Sequence, residues 1–292
     1  MLKFCHEKII GLAITAVLLM ACRGSPSIIW QDDGFIRVAG GTFYMGSPEG
    51  TPNSLSDERP VRAVTISTFY MSKFPVTQGE FYDLMGWNPS RFRGERTPAG
   101  ADWRRLPVEM VGSWYTAIQF ANRKSELAGL TLAYEGGYGS IIWNRKANGY
   151  RLPTEAEWEF AARGGTLCHG NFIFSGSDDF NEVAWIWANS RNRTREVGSL
   201  RPNALGIYDM SGNVWEWVWD WYGPYIDIAE IDPLGYGPSF SRVLRGGSHM
   251  SSPNSARARN RYYCETRNRA YPECRQGPVG FRLVRSDPSF TS

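Results

Sequence analysis

A chain of 292 residues carrying a net charge of +3 can fold as one large domain, and its excess of Lys and Arg is too small to suggest nucleic acid or a membrane surface as partner. With 42% hydrophobic and 21% charged residues it has the composition of a folded globular protein, not of a disordered one. Twelve Trp, 31 Gly and 17 Pro point to a loop-rich fold in which large rings fill the core and many turns need unusual backbone angles.

The first segment has the pattern of an export signal. Lys3 and Lys8 accompany a short apolar run, Ile9 to Met20, too short for a permanent membrane helix but suited to a signal h-region. The run closes on Leu19-Met20-Ala21-Cys22, which resembles a bacterial lipobox; the alternative is a secretory signal with an incidental cysteine. On the lipobox reading, residues 1–21 are signal peptide, Cys22 is the lipidated first mature residue and 22–34 is a tether. The expectation is a protein of the bacterial envelope, displayed on the outer surface and touching the membrane only through its lipid. Loss of Cys5 and lipidation of Cys22 leave Cys168, Cys264 and Cys274, an odd number that permits a bridge between Cys264 and Cys274 without fixing one.

FIRVAGGTFYMGS, from Phe35, alternates apolar and polar residues around Gly40-Gly41 and predicts two short strands joined by a tight turn. Val61 to Thr77 repeats the strand pattern and should end at Pro75. Thr77 followed by Glu80 has capping-box spacing before a first helix. Trp114, Ile118, Ala121 and Leu127 recur at helical spacing, with Ser113 as cap and Gly129 as stop. Leu130 to Tyr150 predicts strand, turn and strand. Thr154 and Glu157 make a second capping box, for a helix with Trp158, Ala161 and Ala162 on one face that ends at Gly164. After Gly165 the pattern is irregular. No linker, repeat or charge run divides the chain, so one domain over 35–292 is the expectation.

Two stretches carry candidate chemistry. In GNVWEWVWDWY, Trp215, Trp217, Trp219 and Trp221 occupy alternate positions, which a strand places on one face for core packing. Glu155 and Glu157 open a helix, where the dipole favours them as caps or as salt-bridge partners of Arg151 and Arg163, rather than as a catalytic pair.

GGTFYMGS, DERPVRAVTISTFYMSKFPVTQGEF, PVEMVGSWYTAIQFAN, RLPTEAEWEFAARGG, PNALGIYDMSGNVWEWVWDWY, RVLRGGS and GFRLVR occur in one order along Phe35 to Arg285. Together they resemble the formylglycine-generating enzyme, or sulfatase-modifying factor, superfamily. The resemblance implies an α+β fold of the C-type-lectin type with few helices, small antiparallel sheets and much irregular structure. It also implies a structural calcium held by Asp209, the carbonyls of Gly212 and Val214, and Glu216, a set of hard oxygens that suits this ion. The alternative is that Asp209 and Glu216 accept hydrogen bonds from the turn.

The enzymes of the superfamily hold copper(I) through two thiolates, placed three and eight residues after RGGS. Here those positions are Ser251 and Ala256, so no copper and no catalytic residue is expected. An iron site would need His169 and His249 together, and their spacing does not suggest it. The variable proteins of diversity-generating retroelements, a branch without known chemistry, keep RGGS, a middle Asn-Arg, a Pro-acid-x-Arg and a GFR close while changing the residues between, through mutation at adenines. The counterparts are Arg245 to Ser248, Arg259-Asn260-Arg261, Pro272 to Arg275 and Val279 to Arg282, which makes about 245–285 a variable region.

By this resemblance the ligand-binding positions are His249, Met250, Ser251, Ser252, Asn254, Ser255, Arg259, Tyr262, Tyr263, Cys264, Cys274, Gln276, Gly277 and Pro278. Tyr supplies contact area with few rotors, while Ser and Asn adapt their hydrogen bonding. The expected function is a non-catalytic surface lipoprotein that binds a protein or other macromolecule at a cell surface, with no nucleic acid. An exported modification enzyme with an altered active site, and a structural envelope protein, are the alternatives.

Overall fold

The computed structural model describes residues 34–167, 171–265 and 277–287. Cys22, Cys168, His169, Cys274 and Gln276 lie outside them, with the segments expected to be signal and tether.

In chain order the strands and helices are β1 (Phe35–Val38), β2 (Gly41–Met45), β3 (Arg62–Ile66), β4 (Phe69–Ser72), α1 (Gln78–Met85), α2 (Trp114–Leu127), β5 (Tyr134–Glu135), β6 (Ile142–Trp143) and α3 (Glu155–Ala162). They continue through α4 (Phe180–Val183), β7 (Ala184–Trp185), α5 (Trp187–Ser190), β8 (Ser211–Gly212), β9 (Trp215–Trp221), β10 (Glu230–Ile231), β11 (Ser241–Arg245), β12 (Arg261–Glu265), β13 (Val279–Phe281) and β14 (Val284–Ser286). Short helices and small sheets joined by long irregular runs make this the expected α+β fold. Among the described residues no helix is long and apolar enough to cross a membrane.

Both capping boxes form. The Thr77 side chain accepts from the Glu80 amide and that of Thr154 from the Glu157 amide, and each glutamate returns a bond to the cap backbone. Ser113 stands at the start of α2 without a side-chain cap bond, and Leu127, expected on the apolar face, is 69% exposed at its end.

The tight turn expected between the first two strands is not a hairpin. β1 pairs with β4 while β2 pairs with β3, and the two pairs belong to different sheets, ordered β1-β4-β14 and β10-β3-β2. The chain crosses between sheets at Gly40, whose amide donates to the Thr68 hydroxyl, and crosses back at Ser67-Thr68. Alternation identifies a strand but not its partner.

The sheet that organises the site runs β12-β11-β9-β13, with β13 parallel to β9 and the other pairs antiparallel. Its pleat divides the core. Trp217, Leu244 and Phe281 face a cluster that includes Trp114 and Phe120 of α2, while Val218 and Val243 face a second cluster with Trp158 of α3 and Val64 of β3. The alternate tryptophans do share a face, with Trp215 and Trp219 packed against the first cluster. The opposite face of the same strand carries Glu216 and Asp220, both buried, which the tryptophan pattern does not reveal.

Candidate binding surface

The interval 245–285 is pinned by buried arginines. Arg245, fully buried, donates to Glu159 of α3 and to the Asn260 carbonyl, and its Nε lies 3.5 Å from Glu155 as a charge contact. Arg261 forms a two-pronged pair with Glu155 at 2.8 Å on each side and also donates to the carbonyls of Asp57 and Gly223. Arg257 grips Glu58 at 3.0 and 2.5 Å. Arg282 grips Glu216 twice at 2.7 Å and donates to the Tyr208 and Ser72 carbonyls. Planar forks against carboxylates satisfy several buried donors at once, which is what makes charge tolerable in a core.

α3 is the acidic hub. All eight of its residues are buried, and Glu155, Glu157 and Glu159 meet Arg261, Arg151 and Arg245 respectively. The expected Arg151 partnership is thus found on Glu157, and Arg163 reaches Glu159 at 3.4 Å; Glu155 instead serves the distant C-terminal segment. Burial pushes the Glu155 carboxyl upward, but Arg261 and Arg245 outweigh it and hold it below the ordinary range. Burial likewise works against Glu58, and the bonds from Arg257 and Ser47 reverse it. At Asp220 the relief falls short: burial, then the neighbouring Glu155 charge, lift it to about 8 against the Glu155 amide and the charges of Arg242 and Arg261.

Around these fixed points the expected binding residues divide. Met250 is 53% exposed, Tyr262 45% and Tyr263 47%. Ser252 and Asn254 are exposed, and Ser251, Ser255, Arg259, Gly277 and Pro278 are half-buried. Two are corrected. His249 is 2% exposed: its amide and Nδ1 both meet the Asn213 carbonyl, at 2.9 and 3.0 Å, and burial lowers it to about 4, so it is a neutral packing residue. Cys264, 1% exposed and disulfide-bonded, faces the core from β12 and offers no contact to a ligand. Cys274 and Gln276 fall outside the described residues.

The exposed members gather in two places. Tyr262 stacks on Trp215 at 5.3 Å and Tyr263 on Tyr222 at 4.4 Å, which fixes both rings on β12. Asn254 and Arg259 line a cleft of about 380 Å³ with Ile173, Phe174 and the loop from Pro48 to Asn53. Ser251 closes a turn, accepting from the Ser248 amide at 2.9 Å, and its carbonyl accepts from the amide of Trp187. Trp187, 61% exposed beside that turn, lies outside 245–285 and has no sequence signal that separates it from the other tryptophans.

The residues expected to hold calcium do not fit that ion. Both Glu216 oxygens are held by Arg282, and one also accepts from the Trp158 indole at 2.7 Å, so a cation would have to displace a buried guanidinium. Asp209 accepts from the Gly198 amide at 2.7 Å and from Asn213 at 3.2 Å, and burial raises it to about 6. Gly212 has φ +79° and a Cβ there would lie 2.2 Å from the Trp185 carbonyl; its role is this close backbone crossing. Ser251 and Ala256, at the copper-ligand positions, both lie near Ser248 and Gly247, with Ala256 fully buried.

Comparison with known proteins places this geometry. The chain is 38% identical over 281 residues to "Chaperone protein LppX" of Paenibacillus barcinonensis, covering 85% of this chain and 90% of that one. It is 30% identical to a formylglycine-generating enzyme of Streptomyces coelicolor, covering 89% of this chain and 91% of the relative. Among solved structures, Treponema denticola variable protein 1 superposes with a TM-score of 0.75 at 29% identity, over 87% of this chain and 95% of that one. The relatives therefore include both enzymes and a variable protein. The model of the sulfatase-modifying factor enzyme 1-like domain matches residues 27–287, and the chain belongs to that family.

Proposed function

We propose that the chain is a lipid-anchored envelope protein that binds a protein or other macromolecule through the exposed residues of 245–285, without catalysis. One observation carries the reading. The residues that bracket and punctuate the interval, Arg245, Arg257, Arg261 and Arg282, are locked by buried carboxylates, whereas Met250, Ser252, Asn254, Tyr262 and Tyr263 project from them. Such an arrangement lets side chains change at the surface with little cost to the fold. The similarity to a variable protein supports it, and so do a serine and an alanine where the enzymes need thiolates.

The test has a genetic and a chemical arm. The reading expects a near-copy of the codons for Arg245 to Arg285, differing at adenines, beside a reverse-transcriptase gene; its absence counts against diversification. Copper(I)-dependent oxygen consumption with a cysteine-containing peptide would instead favour a modifying enzyme.

A further inference from the structure

Two arginine-bearing loops meet at His249, and neither belongs to 245–285. One runs from Arg91 to Arg96, with the ring of Phe92 edge-on to the imidazole at 5.5 Å. The other runs from Trp187 to Arg195. The Trp187 amide donates to the Ser251 carbonyl at 3.2 Å and the Ser190 hydroxyl to the His249 carbonyl at 2.8 Å. Asn213 fastens this second loop by exchanging bonds with the Arg195 backbone, while its own carbonyl takes the His249 amide and ring. His249 is therefore the common support of both loops and of the exposed Met250.

Arg91, Arg93, Arg96, Arg191 and Arg193 are exposed, and among the described residues none of the five forms an ion pair. That is a dense local charge on a chain whose net charge is +3. The burden is felt within the second loop, where burial first, and then Arg191 and Arg193, hold the Arg195 guanidinium below its ordinary value. Beneath the first loop lies an open cleft of about 1170 Å³. Its walls carry Arg91, Arg93 and Arg96 with Trp103, Tyr82 and Met110; among the described residues that line it Glu95 is the one carboxylate, and the buried Glu109 accepts from the Arg91 and Phe92 amides. The volume exceeds that of most small-molecule sites, about 300–1,000 Å³. Guanidinium forks match carboxylates in pairs, and rings with a thioether add apolar area that a bare polyanion site does not need.

We propose that these two loops form a constant cationic rim beside the variable turn and take an acidic segment of a protein partner. The variable side chains would then choose among partners that the rim has already attracted. Long-range attraction raises the encounter rate and falls with ionic strength, whereas contacts at Met250, Ser252 or Tyr262 set the lifetime of the complex. The link between rim and partner choice rests on the reading of 245–285 as a binding surface; the rim itself rests on the two loops alone.

Fluorescence anisotropy with a labelled decaglutamate peptide and the full mature chain tests it. The expected result is salt-sensitive binding that Arg91→Glu combined with Arg191→Glu weakens by about tenfold or more, since opposed charges become like charges. Arg91→Gln with Arg191→Gln should lie between, and Leu127→Ser, an exposed position outside both loops and outside 245–285, should leave this probe's affinity within about threefold. Unchanged binding by the charge-reversed protein at an unchanged melting temperature overturns the proposal, and so does a heparin oligosaccharide that displaces the peptide at equal charge concentration. If tail variants discriminate between partners while charge reversal is silent, only the rim fails. If the rim binds acidic peptide while tail variants never alter recognition, the variable-surface reading fails and the rim stands.

Discussion

Replacing Arg261 by Met measures how firmly the interval is anchored. Arg261 is 2% exposed, pairs with Glu155 through two bonds of 2.8 Å, and packs its guanidinium 4.0 Å from the Tyr225 ring centre. Without it Glu155 stays buried, with the Nε of Arg245 3.5 Å away. Removing one partner of a buried pair costs about 3–5 kcal/mol, and a domain of this size loses about 2 °C of melting temperature per kcal/mol, so the variant should melt roughly 6–10 °C lower. The deficit depends on pH in a defined direction. Because Arg261 and Arg245 hold the folded Glu155 below its ordinary range, its contribution is complete above the ordinary carboxylate pKa and is lost as pH falls through the folded value. The gap between variant and wild type should therefore narrow in acid. Thermal melts followed by circular dichroism at several pH values would show this. Combining Arg261→Met with Glu155→Met removes the stranded charge and should restore more than half of the loss. A single variant within about 2 °C of wild type, or a double variant as unstable as the sum of the singles, would refute the account.

Gly212→Ala should destabilise the fold by more than about 2 kcal/mol in a denaturant titration, since its Cβ would meet the Trp185 carbonyl at 2.2 Å with φ at +79°. Gly237→Ala, which meets nothing within 4 Å, is the neutral control. Adding 1 mM calcium to chelator-treated protein should move the melting temperature by less than about 1 °C, and a larger shift abolished by Glu216→Gln would show that calcium displaces Arg282. The His249 ring should titrate by NMR with a midpoint near 4, which means that protonation of the unfolded chain costs stability as pH falls from its ordinary value of 6.5; a midpoint near 6.5 would contradict its burial. Tyr262→Ser should shift the melting temperature by only about 2 °C, as expected of an exposed ring on a fixed strand.

What the sequence conveyed depended on how local the physics was. Thr77 and Thr154 were readable as caps because a cap and its return bond span three residues. The tryptophans of β9 were readable because alternation is a property of one strand. Strand pairing at Gly40 was not, because the choice between β3 and β4 as partner is made by tertiary packing. The same limit hid the ion pairs. Glu155 and Arg261 lie 106 residues apart, so a dipole argument fitted Glu155 locally and missed what it binds. His249 follows Ser248 in a polar-looking run and reads as surface, yet its neighbours there, Met250 and Ser252, are exposed while it is held by Asn213. The poor fit of Glu216 to calcium is hidden from the sequence for a related reason: its partner Arg282 is brought to it only when β13 lies beside β9.

The hub on α3 has a consequence for how the protein is made. Synthesis proceeds from the N-terminus, so Glu58, Glu155, Glu159 and Glu216 emerge well before Arg257, Arg261, Arg245 and Arg282 can reach them. Until residues 245–285 arrive, burying α3 would strand carboxylates in an apolar interior, which costs several kcal/mol for each. A chain cut short before Arg245 therefore has no stable way to close, and the nascent domain must wait, open and in need of protection, for its C-terminal end. The segment whose exposed side chains form the proposed binding surface is thus, through its buried arginines, also the one that lets the whole domain shut.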